Sequence, residues 1–235
     1  MPTGAETKQE VDRILRVYEE YGKAAASRWG RNRGNQANAR RRQWLVQQLL
    51  SDAAMLPLTG KKALEIGCGL GGNLASLEAL GMRRDDMHGL DLRPEAIRGA
   101  KSTYPGINFA VGNAEALDFE DESLDVVMLF VVLSSVNPAM AANIASEVKR
   151  VLRPGGGVLW YEMRYRNPSN KNVRPYKRGD IASLFPDWTA HMRSTTVVPP
   201  LVRRLGFMNK VAYPILELIP PLHTHYLAVI KKPEA

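Results

Sequence analysis

The chain has 235 residues, 45% of them hydrophobic, and a formal net charge of +8. That length suits one domain of ordinary size with a sizeable core. One cysteine excludes an intrachain disulfide framework, no segment offers the ~18 consecutive apolar residues that a bilayer span needs, and polar Met1–Glu10 lacks a signal-peptide core, so a cytoplasmic protein is expected.

The charge is unevenly spread. Residues 1–60 carry ten Lys/Arg and six Asp/Glu, residues 61–160 ten and thirteen, and residues 161–235 twelve and five. The middle is slightly acidic and both flanks are basic. A solvated basic surface and an acidic partner explain this equally well.

Glu6 to Trp29 reads as an amphipathic helix, with Val11, Ile14, Leu15, Tyr18 and Tyr21 close to helical spacing. Residues 31–35 break the pattern, and Gln36 to Leu56 resumes it with Trp44, Leu45, Leu49 and Leu50. Pro57 and Gly60 then close a helical segment of about sixty residues. Strands are expected near 62–66, 87–91, 107–111, 125–131 and 157–163, with helices near 72–80, 94–101 and 138–152. This βαβ rhythm implies a parallel sheet with helices on its faces. Two further strands are expected, at 191–198 and 224–231, separated by an apolar stretch that five prolines interrupt.

The most telling stretch is Ala63-Leu64-Glu65-Ile66-Gly67-Cys68-Gly69-Leu70-Gly71-Gly72-Asn73. An apolar strand runs into a glycine turn and then a helix. Asp91 ends the next strand, 22 residues beyond Gly69. A glycine turn after the first strand and an acid closing the second mark a nucleoside-containing cofactor in a doubly wound α/β fold. Gly67, Gly69 and Gly72 also fit the dinucleotide pattern. Glu65, however, would repel a pyrophosphate at the helix start and favour a ligand bearing an amino group and a sulfonium.

Here the chain resembles the class I S-adenosylmethionine-dependent methyltransferases, from about Lys61 to Lys232. Glu65 to Gly69 is similar to that family's first motif, and Asp91 to its ribose-binding acid. Residues 112–117 match the adenine-flanking motif, with Asn113 where the family more often has Asp. Leu124 to Phe130 matches the fourth strand, and Leu152 to Gly157 the turn before the fifth. The resemblance implies a Rossmann-like, seven-stranded sheet behind an N-terminal helical cap (1–60), with an insertion at 199–222 before an antiparallel last strand. It also implies S-adenosylmethionine as cofactor, leaving as S-adenosylhomocysteine. The residues it nominates to hold the cofactor are Glu65, Gly67, Cys68, Gly69, Asn73, Asp91, Leu92, Asn113, Ala114, Glu115 and Phe130.

The acceptor side is less marked. The fourth strand runs into Val131-Val132-Leu133-Ser134-Ser135, without the signature of enzymes that methylate base amines and without the histidine many relatives carry nearby. Glu162, Tyr165 and His225 are the candidates for catalysis, since all are expected at the ligand edge and a histidine can serve as base near neutrality. Arg164 and His223 are candidates for substrate contact, as are Trp29, Arg31, Arg33 and Asn35 in the loop after the first helix. No His, Cys or carboxylate spacing suggests a metal. Trp29 to Asn35 and Trp160 to Pro168 resemble stretches of bacterial methyltransferases of polysaccharide and glycosylated natural-product pathways, and that resemblance implies O-methylation of a saccharide or small natural product, with an RNA or protein methyltransferase, a small-molecule N-methyltransferase and a catalytically silent cofactor-binding protein as alternatives. A glycan or small-molecule acceptor is expected as partner, while the lack of an RNA-binding module makes nucleic acid unlikely. The 199–222 insertion reads as an active-site lid, a packing or dimer element, or a peripheral membrane contact. Either a monomer or a homodimer fits.

Overall fold

The computed structural model describes residues 4–25, 32–168 and 170–234. Seven strands form one sheet: β1 (Ala63–Ile66), β2 (Met87–Asp91), β3 (Asn108–Val111), β4 (Leu124–Phe130), β5 (Leu152–Met163), β6 (Thr189–Val197) and β7 (His223–Lys231). Their order is β3-β2-β1-β4-β5-β7-β6. The first five are parallel; β7 runs antiparallel to β5, and β6 antiparallel to β7. Every residue of β1 is buried, as is all of β4 but its last residue. Such continuous burial marks strands covered on both faces.

The helices are α1 (Gly4–Ala25), α2 (Arg33–Asp52), α3 (Gly72–Ala75), α4 (Pro94–Thr103), α5 (Pro138–Val151), α6 (Arg178–Leu184), α7 (Pro199–Arg204) and α8 (Asn209–Glu217). One face of the sheet is covered by α5 through Ala141, Ile144, Val148 and Val151, in a core that also takes Ile14 of α1. The opposite face is covered by α2 and α4, through Leu45, Leu49, Leu50, Ile97 and Ala100. Leu49 and Leu50 are fully buried, worth about 1.5–3 kcal/mol each.

The elements depart from expectation in four places. First, α2 starts at Arg33 rather than Gln36, because the Asn32 side chain accepts from the Gly34 and Asn35 amides as an N-cap. Second, the helix expected over 72–80 is α-helical only to Ala75 and continues as a 3-10 turn to Leu80. Third, β5 begins at Leu152, which pairs with Leu124 before a register shift. Fourth, residues 178–184 form a helix the sequence reading lacked. Its start is fixed by Asp180, whose carboxylate accepts from the Lys177 amide at 2.7 Å.

The insertion is also placed differently. Its two short helices, α7 and α8, pack on α2 and β6 around Val197, Val202 and Tyr213. Asn38 of α2 ties them down, donating to the Val197 carbonyl at 3.0 Å and accepting from the Tyr213 hydroxyl at 2.8 Å. No residue of the insertion lines the cavity described next. Of the readings the sequence left open, a lid directly over that cavity is not what the structure shows: α7 and α8 pack on α2 and β6.

Candidate active site

In this sheet β1 lies between β2 and β4, so the chain leaves it in opposite directions on its two sides. Ligands of open α/β sheets bind in the crevice at such a switch point, beyond the carboxyl ends of the strands. A cavity opens there, and Gly67, Asp91, Leu92, Asn113, Ala114 and Phe130 all line it. Gly67 has φ +68, and a Cβ on it would lie 2.8 Å from Val132 Cγ2. Only glycine keeps this turn open. Leu92, Ala114, Met140 and Ile144 give the cavity an apolar wall, with the Asp91 carboxylate at its edge. This combination fits a nucleoside, with an apolar slot for a base and an acid for a ribose diol.

Asp91 is nearly buried and fully engaged. Its Oδ2 accepts from the Gly69 amide at 2.9 Å and from Arg93 Nη2 at 3.0 Å, and its Oδ1 accepts from the Arg93 amide and Nε at 3.0 Å each. The Arg93 guanidinium in turn lies 4.4 Å from the Tyr18 ring centroid. Tyr18 and Ile14 of α1 form part of the cavity wall. α1 is pinned there by Glu10, which accepts from the Asn137 amide at 2.7 Å, and by Arg13, which donates to the Ser135 carbonyl at 2.6 Å.

Glu65 does not face the cavity. It is wholly buried, and its carboxyl accepts from Asn73 Nδ2 and the Leu74 amide, both at 3.1 Å. Burial pushes its pKa up to about 8, against the pull of those hydrogen bonds and of Arg42. Arg42 of α2 donates to Asn73 Oδ1 at 2.8 Å and stands 5.5 Å from the Phe130 ring and 4.9 Å from the Tyr161 ring. Among the described residues it makes no ion pair. Glu65 and Asn73 thus join the first strand to α3 and α2.

Three other expected cofactor residues are turned away from the cavity. Cys68 is buried in the core with its sulfur toward Gly89, and burial raises its thiol pKa. Gly69 contributes through its amide to Asp91 and not to the cavity wall. The Glu115 carboxylate accepts from Asn143 Nδ2 at 2.7 Å and from Asn113 Nδ2 at 3.3 Å, so it braces the Asn113 turn from behind.

At the end of β5 the candidates separate. Glu162 is fully buried, and its Oε1 accepts from the Leu133 amide at 2.8 Å. Burial raises its pKa to about 7. It shapes the loop after β4, which supplies Val131, Val132 and Ser135 to the cavity. Tyr165 is exposed, with Arg164 over its ring at 4.8 Å, and Arg164 donates to the Pro220 carbonyl at 2.9 Å. His223 is buried between the Ser194 hydroxyl at 2.9 Å and the Glu217 carbonyl at 3.0 Å. Arg164 and His223 hold the insertion to the last strands, and neither they nor Tyr165 line the cavity.

His225 is stacked on Tyr161, with centroids 4.5 Å apart and 4° between the planes. Desolvation, with Arg42 nearby, lowers its pKa to about 3. Such an imidazole stays neutral, and its conjugate acid is too strong to make it an effective proton acceptor near neutral pH. His225 does not line the cavity, and its Nδ1 lies 2.8 Å from the Thr224 hydroxyl. Tyr161 also shares a 2.7 Å hydrogen bond with Thr196, while its carbonyl accepts from the Val131 amide at 2.7 Å. Val131 and Thr196 have φ of +59 and +67. Two β-branched residues in the left-handed region are true outliers, and such strain gathers at functional sites.

Trp29 and Arg31 lie outside the described residues. Arg33 and Asn35 stand on the first turn of α2, where Gly34 abuts Val202 of α7, and neither lines the cavity. The sequence reading missed Tyr18, Arg42 and Arg93. Helical periodicity had already assigned Tyr18 to a buried face, and the run Arg40-Arg41-Arg42 read only as basic flank. Among the described residues, no group of three His, Cys, Asp or Glu could hold a metal ion.

Comparison with known proteins agrees with this geometry. Residues 63–156 match the model of a methyltransferase domain. The chain is 42% identical over 121 residues to phthiotriol/phenolphthiotriol dimycocerosates methyltransferase 1 of Mycobacterium ulcerans, covering 51% of this chain and 42% of that protein. It is 38% identical over 123 residues to a fatty-acid O-methyltransferase of Mycolicibacterium smegmatis, covering 52% and 44%. The chain thus matches less than half the length of either relative. Among solved structures, a Burkholderia thailandensis 1,6-didemethyltoxoflavin-N1-methyltransferase with bound S-adenosylhomocysteine superposes with a TM-score of 0.66 at 15% identity, covering 100% of this chain and 93% of its own. At that identity the likeness concerns the fold alone. Residues 63–156 thus carry the likeness to a methyltransferase domain, and the strand order and the switch-point cavity agree with it.

Proposed function

We propose that this chain transfers a methyl group from S-adenosylmethionine to an oxygen of a lipid or other small-molecule acceptor. The cavity carries the proposal: it presents a glycine turn, an acid at the end of β2 and an apolar slot at one switch point. Asp91 would hold the ribose, Leu92 and Ala114 the adenine, and the Glu65–Asn73 pair the start of α3 beside the methionine end. The cofactor supplies an electrophilic methyl group on a sulfonium. The protein's part is then alignment of donor and acceptor, which can contribute on the order of 7–11 kcal/mol in ideal cases.

Arg42, Phe130 and Tyr161 form the acceptor side of this reading. A cation with no ion pair among the described residues, set against two aromatic faces, suits an oxygen nucleophile that is anionic or becomes so. An acceptor that arrives ionised needs no base, in keeping with the low basicity of His225. Relatives named for a dimycocerosate lipid and a fatty acid favour a lipidic acceptor over the saccharide hydroxyl expected from the sequence. Isothermal titration with S-adenosylmethionine, S-adenosylhomocysteine and NAD tests the cofactor: the first two should bind, and Asp91→Ala should abolish binding. A panel of fatty acids, hydroxylated lipids and glycans with methyl-labelled cofactor then tests the acceptor. Binding of NAD instead, or label entering only RNA or protein, overturns the proposal.

A further inference from the structure

The insertion buries one face and leaves the other bare. Asn209 and Tyr213 turn inward, Asn209 Nδ2 reaching the Val202 carbonyl at 2.7 Å. The opposite side carries Phe207, Met208, Val211, Ile215, Leu218 and Ile219, with Phe207 and Val211 each 73% exposed and Leu218 81%. Positions 208, 211, 215 and 218 fall at helical spacing, so they make one stripe. Isolated exposed apolar residues need no explanation, but a contiguous stripe marks an interaction surface.

Basic residues border the stripe. Arg204 and Lys210 are exposed, and the insertion's single acid, Glu217, is paired with Arg41 of α2. The Arg41 guanidinium also lies 4.1 Å from the ring of Trp44, an indole 48% exposed. An amphipathic aromatic beside an apolar stripe with a cationic border suits the interface of an anionic bilayer. A second copy of the chain suits it less well. A two-fold contact through the same patch would bring together two sets of Arg204 and Lys210 with no free acid in the insertion to meet them. No helix among the described residues is long and apolar enough to cross a membrane, so contact through this face would be with the surface.

We infer that α7 and α8 form a docking face for an anionic lipid surface, presenting the protein to acceptors dissolved in the bilayer. The word acceptor rests on the proposed function; the docking itself does not. The experiment is flotation of the full chain with vesicles of phosphatidylcholine alone or of equimolar phosphatidylcholine and phosphatidylglycerol. It is run beside the double variant Val211→Ser/Leu218→Ser and the charge-reversed Arg204→Glu/Lys210→Glu. Both pairs are solvent-facing, and thermal melts check that each variant folds. The wild type should float with the anionic vesicles. Loss of the two apolar side chains should weaken this at least about tenfold, given the hydrophobic contribution of each buried methylene, and charge reversal should abolish it.

Failure of the wild type to float, equal flotation of the serine variant, or a dimer that the serine variant converts to monomer without any vesicle binding would each overturn the inference. Cofactor titration on the same samples separates this from the catalytic reading. If cofactor binds and a short-chain soluble acceptor is methylated equally by wild type and serine variant, while a vesicle-embedded acceptor is methylated only by the wild type, docking and function both stand. Flotation that is lost in the variant, with no acceptor methylated by either protein, supports the docking and removes the acceptor reading.

Discussion

Two buried carboxyls and the half-buried His225 give the free protein a defined pH profile. Folding raises Glu65 to about 8 and Glu162 to about 7. The folded state therefore binds more protons than the unfolded chain above the usual carboxyl pKa of 4.5. Their contribution is complete below pH 4.5 and is lost as pH rises through 7 and 8. His225 has the opposite sign. Lowered to about 3, it disfavours protonation of the folded state, so its contribution is complete above pH 6.5 and is lost as pH falls toward 3. The apparent melting temperature without ligand should peak between about pH 4.5 and 6.5. Thermal melts across pH check this: Glu65→Gln should flatten the alkaline limb, and His225→Phe the acid one. A cationic ligand near Glu65 should favour its ionised form, so S-adenosylmethionine affinity should rise toward pH 8 in wild type and less so in Glu65→Gln, as read by titration calorimetry. At this scale, Asp91 and Gly67 were legible because spacing along one strand-turn-helix unit places them. Arg42 was not, because its contacts with Asn73, Phe130 and Tyr161 come from a helix wrapped back from a distant part of the chain.

Among the secondary elements, the joint between α2 and α7 is the most sensitive. A Cβ on Gly34 would stand 2.2 Å from the Val202 carbonyl oxygen, a backbone atom that cannot rotate aside. The usual helical gain from glycine to alanine, up to about 1 kcal/mol, is smaller than an overpacking cost of about 1–3 kcal/mol. Gly34→Ala should therefore lower the melting temperature, by roughly 2–4 °C per kcal/mol at this chain size. Gly179 in the first turn of α6 has nothing within 4 Å, and Gly179→Ala should raise stability by about 0.4–1 kcal/mol. The pair makes one calorimetric comparison with opposite signs. The parallel strands were readable because apolar runs between turn residues recur at βαβ intervals. α6 was not, because seven residues hold barely two turns and its Ile181 and Phe185 anchors are meaningful only once Trp160 stands beneath Phe185. The prolines of the insertion correctly argued against one long helix, but nothing local in them showed that α2 would supply the surface on which α7 and α8 pack.

For the whole molecule, α1 is the element that closes one side of the cavity. It reaches the cavity through Ile14 and Tyr18 and is held by the Glu10 and Arg13 contacts to residues 135–137. Glu10→Ala removes the acceptor for the Asn137 amide and the partner of Arg13. Amide exchange in residues 6–20 should then quicken about fivefold, the equivalent of roughly 1 kcal/mol for a partly exposed hydrogen bond. Exchange in β4 should not change, and mass spectrometry after deuteration resolves the two. The amphipathic character of this helix was visible in the sequence, and the family resemblance implied a cap; that Ile14 and Tyr18 would meet the cavity was not legible, because periodicity tells which face is buried and not against what.

The stack of Asp91, Arg93 and Tyr18 has a consequence for turnover. The acid at the end of β2 already has a tenant in the Arg93 fork. If Asp91 holds the ribose as proposed, a ribose arriving there would exchange one set of hydrogen bonds for another, and a departing product would hand the acid back to the arginine. At no point in that exchange is a desolvated carboxylate left alone, which would cost several kcal/mol. On the proposed reading, Arg93 would compete with spent cofactor for the acid, so Arg93→Ala should tighten S-adenosylhomocysteine binding, as read by titration calorimetry.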